Sequence, residues 1–377
     1  MTGVTGVTDV PGPELFGAYA SRLGLKPALL HELAGEDAWP PWRVAAVERG
    51  HCAVLGLERD GSALVERRAR HVDQSVTVGD WVLLDDAAAD LPRVTRILSR
   101  TTWLERGSAH EEGRAQAIAA NLDTVFIVAA FAETEKLERR SLRARRLDRF
   151  IAAVKEGGAV PVVVLNKADL AGRGEEELDA LRGELSARLG GVEIVCVGAR
   201  PAWRLGLLSR WLGAGETVAF IGSSGVGKSS LINALSGREL QSVGPLRERD
   251  AKGRHTTTRR ELVALESGAL LIDTPGVREF AVLASGGIAG FEDIDELAQG
   301  CRFTDCEHGT EPGCEVIAAV AGGRLLAERL ESYRDLERDA RRLATRHDAY
   351  ARHLERAEGR RFGRLVRRAV ADKKSRR

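Results

Sequence analysis

The sequence lacks any apolar run long enough to span a membrane, and residues 1–20 lack the basic segment and apolar core of a signal peptide. It also lacks an overall charge of one sign, since 56 Lys and Arg residues nearly balance 55 Asp and Glu residues. With 44% hydrophobic and 29% charged residues, the composition is typical of a soluble globular protein. We therefore expect a cytoplasmic protein with no membrane partner.

Cysteine is scarce and unevenly placed. The chain has five cysteines, an odd number that cannot all pair, and three of them lie between Cys301 and Cys314. In a reducing cytosol, cysteines this close together indicate a metal site in preference to disulfides. Cys52 and Cys196 stand alone in apolar segments, and we predict that they are buried packing residues.

The balanced net charge hides a basic C-terminus. Residues 359–377 contain nine Lys or Arg and one Asp, a charge of +8 that leaves −7 for the rest of the chain. A basic tail on an acidic body favours a polyanionic partner, and a solvated terminus that only aids solubility is the alternative.

Short alternating segments separated by turn residues extend from Pro41 to about Gly113 and indicate a small antiparallel sheet or barrel. An OB-like barrel would offer a nucleic-acid surface, and a purely structural barrel is equally compatible with the pattern. Before this region, a short helical pattern covers Phe16 to Leu30. The predicted strands are Trp42–Val47, Cys52–Leu57 and Val78–Leu84.

From Asn121 onward, apolar strands alternate with helices, which indicates parallel βα units. A long amphipathic helix follows between Leu326 and Leu354, and its apolar stripe favours packing on a neighbouring domain over a coiled coil. The predicted strands are Asp123–Val128, Val160–Leu165, Val192–Val197, Thr217–Ile221 and Ala269–Ile272, and the predicted helices are Leu137–Lys155 and Glu175–Leu189.

A phosphate-loop motif, G-x-x-x-x-G-K-S, follows the apolar strand that ends at Ile221. Its glycines let successive backbone N–H groups converge on one point, and the next helix adds the positive end of its dipole. We expect Lys228 to reach the β- and γ-phosphate oxygens and the Ser229 hydroxyl to hold Mg²⁺. The predicted phosphate-binding residues are Gly222, Ser223, Ser224, Gly225, Val226, Gly227, Lys228, Ser229 and Ser230.

The tetrapeptide Asn-Lys-Ala-Asp at 166–169, at the end of a predicted strand, is a guanine-recognition signature. The Asp169 carboxylate can accept hydrogen bonds from both N1–H and the 2-amino group of guanine, and adenine offers neither donor. Asn166 would tie this loop to the phosphate loop, and the Lys167 stem would cover the ring face.

A further guanine element, which normally ends in Ser-Ala, is degenerate here as Val-Gly-Ala at 197–199. The backbone N–H of Ala199 can still reach the guanine O6, so we include Ala199 among the predicted GTP-binding residues.

Asp273-Thr-Pro-Gly276 matches the D-x-x-G element, in which Asp273 would hold Mg²⁺ through water and the Gly276 N–H would face the γ-phosphate. The polar loop upstream of it contains Thr256, Thr257 and Thr258. Any of these adjacent threonines can supply a second hydroxyl to Mg²⁺, and we select Thr257.

The residue after Gly276 is Val277, at a position where a water-orienting Gln is common. Valine cannot align a water molecule, so intrinsic GTP hydrolysis should be slow. His255 is the best local substitute as a catalytic residue, alongside Lys228 and Thr257. A loop histidine that contacts phosphate or RNA is an equally good interpretation of His255.

The order of these motifs differs from that of common GTPases, because N-K-x-D precedes the phosphate loop. The domain is therefore predicted to be circularly permuted, with the cut just beyond D-x-x-G. A cut at a surface loop preserves the sheet. With the cut there, the segment that begins at D-x-x-G, called switch II in GTPases, continues directly into the C-terminal module. Loss of the γ-phosphate could therefore pull on that module through the backbone.

A second cluster has the spacing Cys301-x₄-Cys306-x-His308-x₅-Cys314. Three thiolates and one imidazole fill a tetrahedral Zn²⁺ shell and leave no open position, which is typical of a structural site. Unrelated free cysteines beside a passing histidine are the alternative.

Together the barrel, NKAD before GSSGVGKSS, GRHTTT, DTPG and CRFTDCEHGTEPGC resemble the RsgA-type small ribosomal subunit biogenesis GTPases, a circularly permuted GTPase family. The resemblance covers about Trp42 to Leu326. It implies an OB-fold N-terminal domain, GTP hydrolysis stimulated by the small ribosomal subunit and a role in late maturation of that subunit. The implied partners are the small subunit with its rRNA, and GTP or GDP, and we expect a monomer.

We predict a multidomain α/β protein with an N-terminal OB-like β-barrel, a circularly permuted Ras-like P-loop GTPase domain and a C-terminal zinc-binding helical module. It would bind rRNA in the GTP state and leave after hydrolysis, using one structural Zn²⁺ and Mg²⁺ with GTP. The alternatives are an RNA-binding adaptor with GTP as a structural or slow-switch ligand, and a non-ribosomal regulatory GTPase. The expected boundaries are an N-terminal extension at 1–38, the barrel at 39–115, the GTPase domain at 116–284, the zinc-binding module and long helix at 285–358, and the basic tail at 359–377.

Overall fold

The computed structural model describes residues 13–33, 40–58, 60–72, 75–86, 91–106, 116–131, 142, 144–199, 202–223, 225–237, 260–273, 288–342 and 345. The strands in these ranges are β1 (Trp42–Glu48), β2 (His51–Leu57), β3 (Leu64–Arg70), β4 (Trp81–Asp85), β5 (Arg93–Ile97), β6 (Trp103–Arg106), β7 (Gln116–Ala120), β8 (Thr124–Ala130), β9 (Val160–Asn166), β10 (Glu193–Cys196), β11 (Thr217–Gly222), β12 (Leu262–Ala264) and β13 (Leu270–Ile272). The helices are α1 (Pro13–Leu23), α2 (Leu30–Leu33), α3 (Ala144–Glu156), α4 (Glu175–Arg188), α5 (Lys228–Ser236), α6 (Glu292–Ala298), α7 (Glu315–Ala321) and α8 at 327–342. No helix among the described residues is both long and apolar enough to cross a bilayer.

Strands β1 to β5 form a closed barrel in the order β1-β2-β3-β5-β4, which confirms the predicted barrel. Its interior is apolar and includes Val44, Val54 and Val82, because side chains of a strand alternate between the two faces. The strand predicted from Val78 begins only at Trp81. Gly79 has a φ of 89° and the Asp80 carboxylate accepts from the Thr77 N–H at 2.8 Å, so these residues form a turn.

The helical pattern predicted from Phe16 to Leu30 is broken in the structure. Helix α1 ends at Leu23, Gly24 follows with a φ of 72°, and a 3₁₀ turn begins at Pro27. The apolar side of this segment covers one end of the barrel, where the Leu57 N–H donates to the Tyr19 hydroxyl at 3.1 Å. The shared core consists of Tyr19, Leu23, Leu25, Leu29, Leu33, Leu57, Trp81, Leu83 and Leu98.

A second sheet has the strand order β10-β9-β8-β11-β13-β12, in which all neighbours are parallel except β12 and β13. Helices α3 and α4 pack on one face of this sheet and α5 packs on the other. The predicted motifs follow three strands of the sheet at their carboxyl ends, which are β9, β11 and β13. This edge is where open α/β sheets bind ligands.

Arg43 joins the N-terminal segment, the barrel and the second sheet. It is fully buried, and its guanidinium donates to the carbonyl oxygens of Leu23 and Asn121 and lies 5.4 Å from the ring centroid of Trp81. Burial lowers the pKa of Arg43 to about 10, against the opposing effect of nearby carboxylates, of which Asp123 is the stronger. The side chain is therefore still a cation at neutral pH.

The C-terminal module consists of α6, α7 and α8 around their own apolar core. On α8 the predicted stripe is buried at Leu330, Tyr333 and Leu336, whereas Leu326 just before the helix is 52% exposed. Arg329 is 3% exposed and pairs with Asp148 of α3 at 3.2 Å and with Asp293 of α6 at 2.9 Å. The predicted stripe thus packs mainly in the core of its own module, which also includes Ala152 of α3, and Arg329 adds the ion pair to that neighbouring helix. Residues 343, 344 and 346–354 of the predicted helix lie outside the described part of the chain.

Candidate nucleotide and zinc sites

The phosphate loop lies between β11, which ends at Gly222, and α5, which begins at Lys228. Gly227 has a φ of 91°, and a side chain there would overlap the Asn166 amide nitrogen. Glycine at 227 therefore allows both the left-handed backbone and the close approach of the loop that carries Asn166. Ser223, Ser229 and Ser230 are half-buried at this position, Val226 is buried and Gly225 is exposed.

The Lys228 ammonium lies over its own loop. Its Nζ donates to the carbonyl oxygens of Gly222 at 2.8 Å and Ser223 at 2.7 Å. A cation is thus held at the N-terminal end of α5, where the helix dipole also favours an anion.

The Asn166 side chain joins the two loops, as the sequence motif predicts. It is the last residue of β9, and its Nδ2 donates to the Val226 carbonyl oxygen at 2.9 Å. Its Oδ1 is buried and has no hydrogen-bond partner among the described residues. The guanine-recognition segment and the phosphate loop therefore form one continuous wall of the site.

Asp169 lies in a 3₁₀ turn that follows Lys167, which has a left-handed φ of 62°. The turn is tied to the adjacent strand, because the Ala168 N–H donates to the Val197 carbonyl at 3.0 Å. One carboxylate oxygen of Asp169, Oδ2, is buried without a hydrogen-bond partner in the described structure. Since an unpaired buried carboxylate oxygen is costly, it fits a base that offers N–H donors, as guanine does. Ala199, on the same loop system, is half-buried and packs on the sheet face that carries α5.

Asp273 directly follows β13 and is half-buried. Its backbone N–H donates to the Glu261 carbonyl at 3.0 Å, and β13 pairs with β11, which leads into the phosphate loop. Asp273 is therefore on the same edge of the sheet as the phosphate loop. The other predicted site residues lie outside the described residues: Ser224, His255, Thr257 with its neighbours Thr256 and Thr258, and Gly276.

The predicted zinc residues are brought together. One ligand atom each from Cys301, Cys306, His308 and Cys314 lies within 4.8 Å of all the others. The Sγ atoms of Cys301 and Cys314 are 3.8 Å apart, and His308 Nδ1 is 3.6 Å and 3.5 Å from them. A tetrahedral ion with bonds of about 2.3 Å to sulfur and about 2.1 Å to nitrogen gives S–S edges of about 3.8 Å and S–N edges of about 3.6 Å. The cluster is therefore compatible with one zinc ion.

The loop between these ligands is shaped by Glu311, a residue that the sequence reasoning missed. Its carboxylate accepts from the N–H groups of Glu307 at 3.3 Å and Gly309 at 2.6 Å, on either side of His308. Hydrogen bonds from backbone N–H groups, its own first, lower the pKa of Glu311. These bonds support the left-handed φ of 55° at His308, and the signal for them was an acidic residue three positions beyond a ligand histidine.

The remaining evidence comes from similar proteins. The sequence profile described as RsgA GTPase matches residues 97–283. A protein of Vibrio parahaemolyticus named small ribosomal subunit biogenesis GTPase RsgA 2 is 40% identical over 358 residues, 94% of each chain. The chain belongs to the RsgA GTPase family. A family member from Methanosarcina acetivorans, named small ribosomal subunit biogenesis GTPase RsgA, is 41% identical over 78% of each chain.

Two solved structures support the same fold. YjeQ from Thermotoga maritima matches 80% of this chain and 98% of its own at 25% identity, with a TM-score of 0.57. YloQ, described as a circularly permuted GTPase, matches 80% of this chain and 95% of its own at 25% identity, with a TM-score of 0.58. The predicted fold class, with its barrel, permuted GTPase domain and C-terminal Cys₃His module, is confirmed.

Proposed function

We propose that the protein is a cytoplasmic GTPase that acts in late maturation of the small ribosomal subunit and is stimulated by that subunit. The assignment of GTP as the nucleotide rests on two features of the segment 166–169, which lies beside the phosphate loop. Asn166 is bonded to the phosphate loop at Val226, and Asp169, three residues on, holds a buried oxygen without a partner among the described residues. The ribosomal assignment is supported by the names of the Vibrio and Methanosarcina relatives.

The proposed roles follow the motifs. Asp169 reads the guanine edge, Lys167 covers the ring and Ala199 contacts O6. Lys228 moves from the loop carbonyls to the β- and γ-phosphate oxygens when GTP enters, since a phosphate is the stronger acceptor. The proposed GTP-binding residues are Asn166, Lys167, Asp169, Ala199, Gly222, Ser223, Ser224, Gly225, Val226, Gly227, Lys228, Ser229, Ser230, Asp273 and Gly276.

Hydrolysis requires charge stabilisation and an aligned water molecule. Mg²⁺, for which Ser229, Thr257 and Asp273 are the proposed ligands, supplies neutralisation of the phosphate oxygens when bound. The chain offers Val277 where a water-orienting side chain is usual, so the free protein should hydrolyse GTP slowly. His255 is the proposed substitute, positioned for catalysis when the protein docks on ribosomal RNA.

We infer that docking uses the barrel, the zinc module and the basic tail, and that the protein acts as a monomer. The proposed units are those expected from the sequence, 39–115, 116–284, 285–358 and 359–377, with the extension 1–38 preceding them. The described part of that extension packs on the barrel, so it belongs physically with the first unit.

Steady-state hydrolysis of GTP and ATP with purified small subunits, large subunits or neither tests the proposal. Lys228→Ala is the control for contaminating phosphatases. We expect slow GTP turnover alone, a large stimulation by small subunits only and no ATP turnover. Tight GTP binding without turnover in any condition would favour the adaptor alternative. Stimulation by neither subunit, with appreciable turnover alone, would favour the non-ribosomal GTPase.

A further inference from the structure

Gly198 lies directly against the carboxylate of Asp169. A Cβ built on Gly198 would overlap Asp169 Oδ1, and it would lie 2.6 Å from Cγ and 3.1 Å from Cβ of the same side chain. The Asp169 side chain therefore occupies the space that a side chain at 198 would need. The glycine at 198 is unusual, since the corresponding guanine element normally has Ser at this position.

Gly198 cannot move away from this contact at low cost. Its N–H donates to the Trp203 carbonyl at 2.9 Å, and its carbonyl accepts from the Trp203 N–H at 2.8 Å. The preceding residue, Val197, is fully buried, and its carbonyl accepts from the Ala168 N–H at 3.0 Å. The two backbone segments that meet at the contact, 197–198 and 168–169, are thus hydrogen-bonded to each other, and Gly198 is also bonded to Trp203.

The same hydrogen bonds decide which groups face Asp169. Because the Gly198 N–H is already used by Trp203, it does not compete for the carboxylate. Oδ1 lies over the bare Cα of Gly198, and Oδ2 is buried without a partner among the described residues. Oδ1 is therefore packed against Gly198, and Oδ2 keeps an unfilled capacity to accept a hydrogen bond.

We propose that Gly198 is a positioning residue for guanine recognition, whose missing side chain leaves room for Oδ1 of Asp169 and thereby fixes the orientation in which the carboxylate meets the base. The inference rests on the proposed guanine pocket. It also explains why Gly stands where this element normally has Ser. The Asp169 carboxylate is positioned by packing against Gly198 and not by a hydrogen bond from a serine hydroxyl.

A substitution of Gly198 should affect the thermal stability of the protein and its selectivity for guanine to different extents. The atoms that a new methyl group would meet are mostly the end of a flexible side chain, so Asp169 can rotate away and the fold should survive. Rotation moves the Asp169 carboxylate away from N1–H and the 2-amino group, and the two hydrogen bonds to this charged acceptor depend on its position. A substitution at 198 should therefore alter base selectivity far more than thermal stability.

The test compares Gly198→Ala with Gly206→Ala, a control glycine with no heavy atom within 4 Å of a built Cβ. Fluorescent mant-GDP is displaced by GTP, ITP and ATP, and GTP turnover is measured with small subunits. ITP has inosine as its nucleoside, which lacks the 2-amino group, so the ratio of GTP to ITP affinity reports the aim of Asp169. We expect Gly198→Ala to weaken GTP binding about tenfold or more and to reduce the GTP-over-ITP preference, with KM raised more than kcat changes. Gly206→Ala should match the unmodified protein.

The outcomes separate this inference from the proposed function. If the unmodified protein binds ATP as well as GTP, the guanine pocket itself is wrong. If it prefers GTP and Gly198→Ala keeps both the affinity and the GTP-to-ITP ratio, only the role of Gly198 is wrong. A Gly198→Ala protein that is unfolded by circular dichroism would also contradict the inference, since the overlap would then be absorbed by the backbone and not by Asp169.

Discussion

The Lys26 ammonium lies 2.8 Å from Asp123 Oδ1 and 3.7 Å from Glu216 Oε1. Lys26 follows α1, whereas Asp123 and Glu216 precede β8 and β11, the two central strands of the nucleotide-binding sheet. Burial raises the pKa of Glu216, the Asp123 charge raises it further and Lys26 opposes both effects. One lysine of the N-terminal segment thus pairs with two neighbouring carboxylates at the edge of the sheet opposite the phosphate loop.

Replacement of Lys26 by Met should lower the free energy of unfolding by about 1 kcal/mol, because two neighbouring carboxylates lose the cation that both of them pair with. Urea denaturation at pH 7 measures the change. Arg68→Met is the matched control, since Arg68 pairs at 3.0 Å with Glu48 on the outer surface of the barrel and this pair is more exposed than Lys26 and Asp123. An equal effect of the two substitutions would contradict a specific role for Lys26.

Replacement of Asp169 by Asn should change the preferred base from guanine to xanthine. The amide keeps an acceptor for N1–H, and its NH₂ donates to the 2-oxo group of xanthine where guanine has an amino donor. GTP affinity should fall by about tenfold to a hundredfold while XTP affinity rises. Competition of GTP and XTP against a mant-nucleotide measures both, and an unchanged preference for GTP would remove Asp169 from base recognition.

Replacement of Cys314 by Ser should abolish zinc binding and unfold the C-terminal module. Cys314 is buried in the core shared by α6, α7 and α8, so loss of the ion also loosens that core. Metal analysis should find about one zinc per chain in the unmodified protein and in Cys196→Ser, whose cysteine lies on β10 away from the cluster. Full zinc retention by Cys314→Ser would show that this thiolate is not a ligand.

Asp148, on α3 at the junction with the C-terminal module, should make stability depend on pH. Burial raises its pKa to about 6, against the opposing hydrogen bond from Ser332 and the charge of Arg329. Since the folded state then holds the proton more tightly than the unfolded state, this group stabilises most below pH 4 and its contribution is lost as the pH rises through 6. The loss is on the order of 3 kcal/mol at most.

The comparison with Asp148→Asn isolates this effect, because the amide does not titrate. The melting temperature of the unmodified protein relative to that of the variant should fall between pH 4 and pH 7. A constant difference across that range would show that Asp148 titrates with an ordinary pKa.

Deletion of residues 359–377 should weaken binding to the small ribosomal subunit and flatten its dependence on salt. The tail carries a charge of +8, and each phosphate contact by Lys or Arg releases counterions. Binding measured by sedimentation at several salt concentrations gives the slope. An unchanged slope would assign the tail to solubility alone.

The sequence predicts elements well where local pattern and tertiary environment agree. Strands β8, β9 and β11 lie within two residues of their predicted ranges, because each is a continuous apolar run bounded by turn or motif residues. The motif also predicts that Asn166 joins its loop to the phosphate loop, and the structure shows this contact at Val226.

Features that depend on distant partners were not predicted. The apolar residues of α1 cover a barrel end built some 40 to 80 residues later, so their target is invisible in a local pattern. Helices α6 and α7 have seven residues each and are held by the Cys₃His cluster and the core around it, not by their own periodicity. The contact of Gly198 with Asp169 arises only when two loops about 30 residues apart are placed side by side.

Arg43 links the N-terminal segment, the barrel and the residues that lead into the nucleotide-binding sheet. Its guanidinium is clasped between the Leu23 carbonyl on one side and the Asn121 carbonyl on the other, with the indole of Trp81 beneath. Isolating the barrel from the residues after it, or removing the segment ahead of it, would leave the buried Arg43 cation without one of its two carbonyl acceptors. The barrel is therefore not a separable unit, and calorimetry should show the barrel and the nucleotide-binding sheet melting in one transition.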